Sequence, residues 1–155
     1  MPALPTHTGP FVAVATLCEK VLTDTDGAVS VIRIIDRLTL TASGPDPPEQ
    51  MPPYALGLTA LVMLRRGEAR GRHQTRIVPQ APDGTERPAV EAPTQFSGDE
   101  EAANNIVIDL SAFAVDLEGL WWFDVLFGDE GTRIARIPLR VVYQPLRVAA
   151  SGSTS

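Results

Sequence analysis

The apolar residues of this chain recur at every second position, and that spacing constrains its fold more than any other feature. In NIVIDLSAF (105–113), Ile106, Ile108 and Leu110 alternate with other residues. In YALGLTALVMLRR (54–66), Leu56, Leu58, Ala60, Val62 and Leu64 do the same. Successive side chains of a β-strand point to opposite faces, so a period of two buries one face of a strand. No segment of useful length carries the 3.6-residue stripe of an amphipathic helix.

Turn signals divide the chain at short intervals. FVAVATLCEKVL (11–22) predicts a first strand, and the Asp-Gly turn DTDG (24–27) joins it to AVSVIRIIDRLTLTA (28–42) as a hairpin. The phase of that second run is broken: Val29 and Val31 share one face, while Ile32, Ile34, Leu38 and Leu40 share the other. Either both faces are covered there or a bulge shifts the register. SGPDPPEQMPP (43–53) has five prolines in eleven residues and predicts a surface loop. RHQTRIVPQ (72–80) predicts a more polar strand, followed by an extended piece to Phe96. SGDEEAANN (97–105) predicts an acidic loop, with Ser97 and Glu100 at capping-box spacing. LWWFDVLF (120–127), the turn GDEG (128–131) and TRIARIPLRVVYQ (132–144) complete the series.

Short strands with frequent turns predict an all-β protein. The expected architecture is a single antiparallel β-sandwich, immunoglobulin-like, of seven or eight strands over residues 10–146. The closing order supports it: strand, acidic corner DLEG, aromatic strand, tight turn, final strand. The corner tyrosine and second cysteine of a true immunoglobulin domain are replaced by Trp121 and Phe123. A C2-like or jelly-roll sandwich is the alternative. Residues 1–9 and 147–155, rich in Pro, Thr and small polar residues, predict flexible ends.

Composition narrows the function classes. The 155 residues suit one domain. No uncharged apolar run reaches the roughly 18 residues of a membrane span. The start MPALPTHTGPF lacks a basic stretch followed by an apolar one, so a cytoplasmic location is expected. The lone cysteine, Cys18, excludes an internal disulfide and a Cys-rich zinc site, and its apolar surroundings suit a buried thiol. A net charge of −6 argues against nucleic acid as the main partner.

Asp24 and Asp26 open like a calcium loop, but the chain continues as VSVIRIID without the loop's bidentate glutamate. They are weak metal candidates, since acids in hairpin turns usually serve the turn. GxSxG, HExxH, P-loop and GxGxxG motifs are absent, and His73 has no nucleophile motif beside it. No catalytic residue and no cofactor is therefore assigned, and an enzyme or sensor built on the acidic loops is the alternative reading. Arg65, Arg66, Arg70, Arg72 and Arg76 oppose only Glu68 within twelve residues. They predict an arginine-faced hairpin for an anion or an acidic partner. Phosphate or RNA binding there is a further alternative, although stacking aromatics are lacking.

GLWWFDVLF (119–127) holds both tryptophans side by side. Alternation puts Trp121, Phe123, Val125 and Phe127 on the core face, and leaves Leu120, Trp122, Asp124 and Leu126 outside. A neighbouring final strand would bring Arg136 or Arg140 beside Trp122, with a cation–π contact and an Asp124–Arg pair. Trp122, Asp124, Leu126, Arg136 and Arg140 are thus the candidate protein-binding residues. The expected function is a non-catalytic interaction or self-assembling module, whose partner is a protein or a second copy. No membrane contact is expected.

Two blocks, LCEKVLTDTDGAVSVIRIIDRLTL and GLWWFDVLFGDEGTRIARIPLRVVYQ, resemble the signature blocks of an uncharacterised bacterial family known only as a domain of unknown function. The resemblance implies a small immunoglobulin-like β-sandwich and supplies no activity or cofactor. It also implies that Cys18, Glu19, Ser30, Arg33, Asp36, Trp122, Phe123 and Asp124 belong to the family pattern.

Overall fold

The computed structural model describes residues 9–99 and 102–149. Most of both expected flexible ends lies outside the described residues. So do Glu100 and Glu101, and with them the capping-box reading; a strand begins at Ala103, inside the loop expected over 97–105.

Among the described residues the protein is all-β, with eleven strands. They are β1 (Phe11–Thr23), β2 (Val29–Ile34), β3 (Arg37–Gly44), β4 (Tyr54–Ala55), β5 (Thr59–Arg65) and β6 (Gly71–Gln80). β7 (Val90–Phe96), β8 (Ala103–Asp109), β9 (Ala114–Val115), β10 (Gly119–Phe127) and β11 (Thr132–Arg147) follow. A four-stranded sheet has the order β2-β1-β5-β8, and a five-stranded sheet the order β3-β11-β10-β6-β7. The short pair β4-β9 forms a third sheet.

Eleven strands replace the expected seven or eight because two of the expected runs divide and a short strand, β9, forms in the expected corner. The long 28–42 run divides at Ile35 and Asp36, and its halves join different sheets. Arg33 adopts φ 53° just before the division, the one positive φ on a non-glycine residue among those described. This crossing also explains the broken phase. Ile32 and Ile34 lie on the exposed side of the four-stranded sheet, while Leu38 and Leu40 pack against the core. The 54–66 run divides likewise, around Gly57 at φ 64°.

The pairing is antiparallel except at one place: β3 runs parallel to β11, with Arg37 opposite Arg140 and Leu40 opposite Tyr143. A parallel pair needs a crossover connection, and sequence alternation carries no signal of direction. β11 continues through Arg147, opposite Gly44. The proline-rich segment is docked rather than loose: Met51 is in the core, and the Tyr143 hydroxyl donates to the Pro48 carbonyl at 2.6 Å.

The core lies between the two larger sheets. β5 contributes Ala60, Val62 and Leu64, and β8 contributes Ile106 and Ile108. The other sheet answers with Trp121, Phe123, Val125, Leu139 and Val141, all fully buried. Each large apolar side chain removed from water in this way stabilises the fold by about 1.5–3 kcal/mol. Phe113 packs edge-on against both Trp121 and Phe123, each with 5.8 Å between ring centres. Trp121 satisfies its indole N–H on the Leu117 carbonyl at 2.9 Å. Gly119 is required where it stands, because a Cβ there would lie 2.8 Å from the Pro82 side chain.

A candidate interaction face on the outer side of the five-stranded sheet

Registers across the five-stranded sheet define which residues share its outer side. Trp122 stands between Pro138 of β11 and Gln80 of β6, and Asp124 between Arg136 and Val78. Leu126 stands between Arg133 and Arg76, and Arg76 is opposite Glu91 of β7. Leu120 is opposite Arg140, which is opposite Arg37 of β3. A bulge between Val125 and Leu126 is what brings Arg133 onto this row.

Trp122, Asp124 and Arg136 form one network. The Arg136 guanidinium lies over the Trp122 ring, 4.6 Å from its centre. Its Nε donates to Asp124 Oδ1 at 2.8 Å and its Nη2 to Gln80 Oε1 at 2.9 Å. Arg133 approaches the second carboxylate oxygen of Asp124 at 3.9 Å. Asp124 is outward, as alternation requires, yet it is only 4% exposed, because the two arginines close over it. Three groups thus fix the Arg136 side chain, which holds a charged fork rigid on an open surface. Trp122 is half-buried, and its cover is an arginine of the next strand rather than the proline-rich segment.

Arg140 and Leu126 are on the same face but outside this network. Arg140 is exposed, two positions along β11 from Pro138, and Leu126 is half-buried beyond the bulge.

The five arginines of 65–76 do not form one face. Arg66 is 3% exposed and donates to the backbone carbonyls of Asp99 (3.1 Å) and Ala69 (3.2 Å). It ties two loops together and is not available to a partner. Its place in a turn, next to Gly67 at φ 60°, was not legible from charge counting. Arg65 is on β5 in the other sheet, and Arg70 is in the loop before β6, its carbonyl bonded to His73 Nε2 at 2.8 Å. Only Arg72 and Arg76 lie on the outer side of β6, together with Gln74. The Arg76 guanidinium packs against Gly131, where a Cβ would come within 2.7 Å of it. Two candidate sites that looked separate in the sequence therefore share one surface.

The remaining candidates have local structural partners. Asp26 Oδ1 accepts from the Ala28 N–H at 2.9 Å, and the Asp24 carbonyl accepts from Gly27 at 3.0 Å, so both serve the β1–β2 turn. Among the described residues no group of three or more His, Cys, Asp or Glu side chains converges. His73 packs between Phe127 (4.9 Å) and Phe96 (5.7 Å). Asp116 pairs with Arg87 at 3.1 Å, and that arginine lies 5.2 Å from the centre of the Trp121 ring. Cys18 is fully buried and free, and burial pushes its thiol pKa up, against a smaller opposing backbone hydrogen bond at Lys20. Among the described residues no helix is long and apolar enough to cross a membrane.

Gln80, Arg133 and Arg37 belong to this face and were not foreseen. Gln80 needs the β6–β10 pairing, Arg133 the bulge, and Arg37 the parallel β3–β11 pairing. None of these is a local property of the sequence.

Among the described residues the architecture is all-β, two larger sheets and one short strand pair, with an arginine-rich outer face on the five-stranded sheet. The chain belongs to the family of unknown function DUF6941, which matches residues 13–142. That span takes in Cys18 through Asp36 and Trp122 through Asp124, the residues that carried the resemblance. No curated protein matches the chain.

Proposed function

We propose that this chain is a non-catalytic protein-interaction module, built on an immunoglobulin-like sandwich, that binds through the outer face of its five-stranded sheet. The observation that carries the reading is the Arg136 guanidinium held over Trp122 with Asp124 buried beneath it. Tryptophan and arginine are the residue types that dominate binding energy at interfaces, most of all when already fixed in place. Leu120, Pro138 and Leu126 surround the network with apolar surface. The immunoglobulin-like reading is supported by the order β11-β10-β6, with β7 added beyond β6, which parallels the G-F-C order with an added strand. The non-catalytic reading is supported by where the ionisable groups go: Asp124, Asp116 and His73 are each spent on a structural partner.

The test uses wild-type protein and Trp122→Ala as paired baits in an extract of the native host, with captured proteins identified by mass. Light scattering of both proteins over a wide concentration range follows self-association. The expected result is a partner, or a mass above one chain, that is lost with Trp122→Ala. Identical captures from both baits, with a single-chain mass at every concentration, would overturn the proposal.

A further inference from the structure

The arginines of the outer face are not equally balanced. Arg136 and Arg133 share the single carboxylate of Asp124, and Glu91 stands opposite Arg76. Arg37 and Arg140 stand opposite each other on adjacent strands, both exposed. Among the described residues neither guanidinium makes a hydrogen bond or an ion pair. Asp36 precedes Arg37 and accepts the Arg140 N–H on its carbonyl at 2.9 Å, yet its carboxylate pairs with neither arginine. Like charges directly opposed on neighbouring strands destabilise a sheet. The repulsion becomes attraction when one anion bridges both groups, and a carboxylate offers two oxygens to two planar forks.

We infer that Arg37 and Arg140 form a carboxylate clamp, and that the partner of this face is an acidic protein segment. The inference rests on the interaction reading above and names the partner's chemistry. Charge complementarity supports it: Arg37, Arg72, Arg76, Arg133, Arg136 and Arg140 share a face with Asp124, Glu86 and Glu91, and Asp129 lies at its edge near Arg76, so the face keeps an excess of positive charge on a chain of net charge −6. The surroundings of the clamp are apolar. Leu120 adjoins Arg140 across β10, and Val142 lies two positions further along β11, opposite Thr39. Acidic side chains interspersed with apolar ones fit such a surface. Nucleic acid fits it less well. Among the described residues Trp122 is the only aromatic on this side, and one face of its ring is already occupied by Arg136, so the surface lacks the series of stacking platforms that single strands use.

The probe is a fluorescein-labelled oligo-glutamate of about eight residues, its binding followed by anisotropy at about 50 mM and about 300 mM salt. An oligothymidylate of equal charge serves as competitor. Wild-type protein is expected to bind the peptide at low salt and to release it at high salt. The Arg37→Ala/Arg140→Ala double variant should bind it at least about tenfold more weakly. Lys20→Ala, on the opposite sheet, should bind like wild type. The double variant should also melt no lower than wild type, because removing opposed like charges relieves repulsion. No binding by wild type, undiminished binding by the double variant, or preference for oligothymidylate would each overturn the clamp. If Trp122→Ala abolishes partner capture while oligo-glutamate fails to bind, the face stands as an interface and the acidic clamp falls. If Trp122→Ala changes no capture and no mass, the interaction reading itself falls.

Discussion

Asp124 and Arg136 face each other across β10 and β11, Oδ1 to Nε at 2.8 Å, with the carboxylate sealed beneath two guanidinium groups. A buried charge that loses its partner is costly, while an exposed one is not. Asp124→Ala should therefore destabilise the fold by about 1–2 kcal/mol, below the cost for a fully buried pair because Arg136 keeps about a third of its side chain in water. Arg133→Ala should cost less, since its contact is longer and more exposed. Urea unfolding of the three proteins checks the order.

The two adjacent tryptophans should separate cleanly by experiment. Trp121→Ala empties a fully buried site against Phe113 and should cost about 3–5 kcal/mol. Trp122→Ala removes a half-buried ring and should cost about 1 kcal/mol, including its cation–π contact. Acrylamide should quench the fluorescence of a Trp121→Phe protein, which reports Trp122 alone, more strongly than that of Trp122→Phe.

Cys18 should be inert in the native protein. It is fully buried, its Sγ lies 3.5 Å from the Thr59 carbonyl, and burial raises its pKa and so depletes the thiolate. Thiol titration with a chromogenic disulfide should show no reaction over minutes at neutral pH and one reactive thiol in denaturant. Rapid reaction of the native protein would contradict the burial.

Arg33 carries a backbone conformation that costs an L-residue about 1–2 kcal/mol relative to the right-handed region. Arg33→Gly should relieve that strain and leave stability unchanged or slightly higher. Arg33→Val should lower it by at least about 1 kcal/mol, because a β-branched residue tolerates this region worst. Loss of the Arg33–Glu19 pair, both side chains mostly in water, should contribute little. Thermal unfolding of the two variants separates backbone strain from the ion pair.

Two turn carboxylates set an acid-side pH dependence. The Thr85 hydroxyl and N–H hold the Asp83 carboxyl below its ordinary pKa, and Ser111 does the same for Asp109. A carboxyl lowered in the folded state adds stability that is complete above its unfolded pKa and is lost as pH falls through the folded value. The contribution should therefore be fully present near neutrality, where stability does not vary with pH on its account, and should fall away only as pH drops from the ordinary carboxylate range through the lowered folded value. NMR titration of Asp83 should show its pKa rise in Thr85→Val; an unchanged value would contradict the assignment.

Much of the fold was legible because alternation is local. Ile106, Ile108, Val125 and Leu139 announce their faces within a few residues, and the burial follows them. The Trp122–Arg136–Asp124 contact was legible for the same reason, since GDEG joins the two strands as a hairpin and fixes their register. What escaped depends on distant partners. The division of the 28–42 run, the parallel placement of β3 and the burial of Arg66 under Asp99 are settled by where another part of the chain lies. Charge counting grouped five arginines by nearness in sequence, whereas the sheet regrouped two of them with β10 and β11.

The parallel seam between β3 and β11 has a consequence for biosynthesis. Arg37 waits for Arg140 over about a hundred positions of chain, a separation that slows folding wherever it must close. On the ribosome β10 emerges before β11, so until the last strand arrives β3 has no neighbour in its sheet and one edge of β10 is open. The five-stranded sheet is thus completed from its middle, by the strand made last, and the arginine-rich surface comes into being only at that moment. A nascent or C-terminally shortened chain would present two unpaired edges in place of that surface, and would be drawn to other exposed strands.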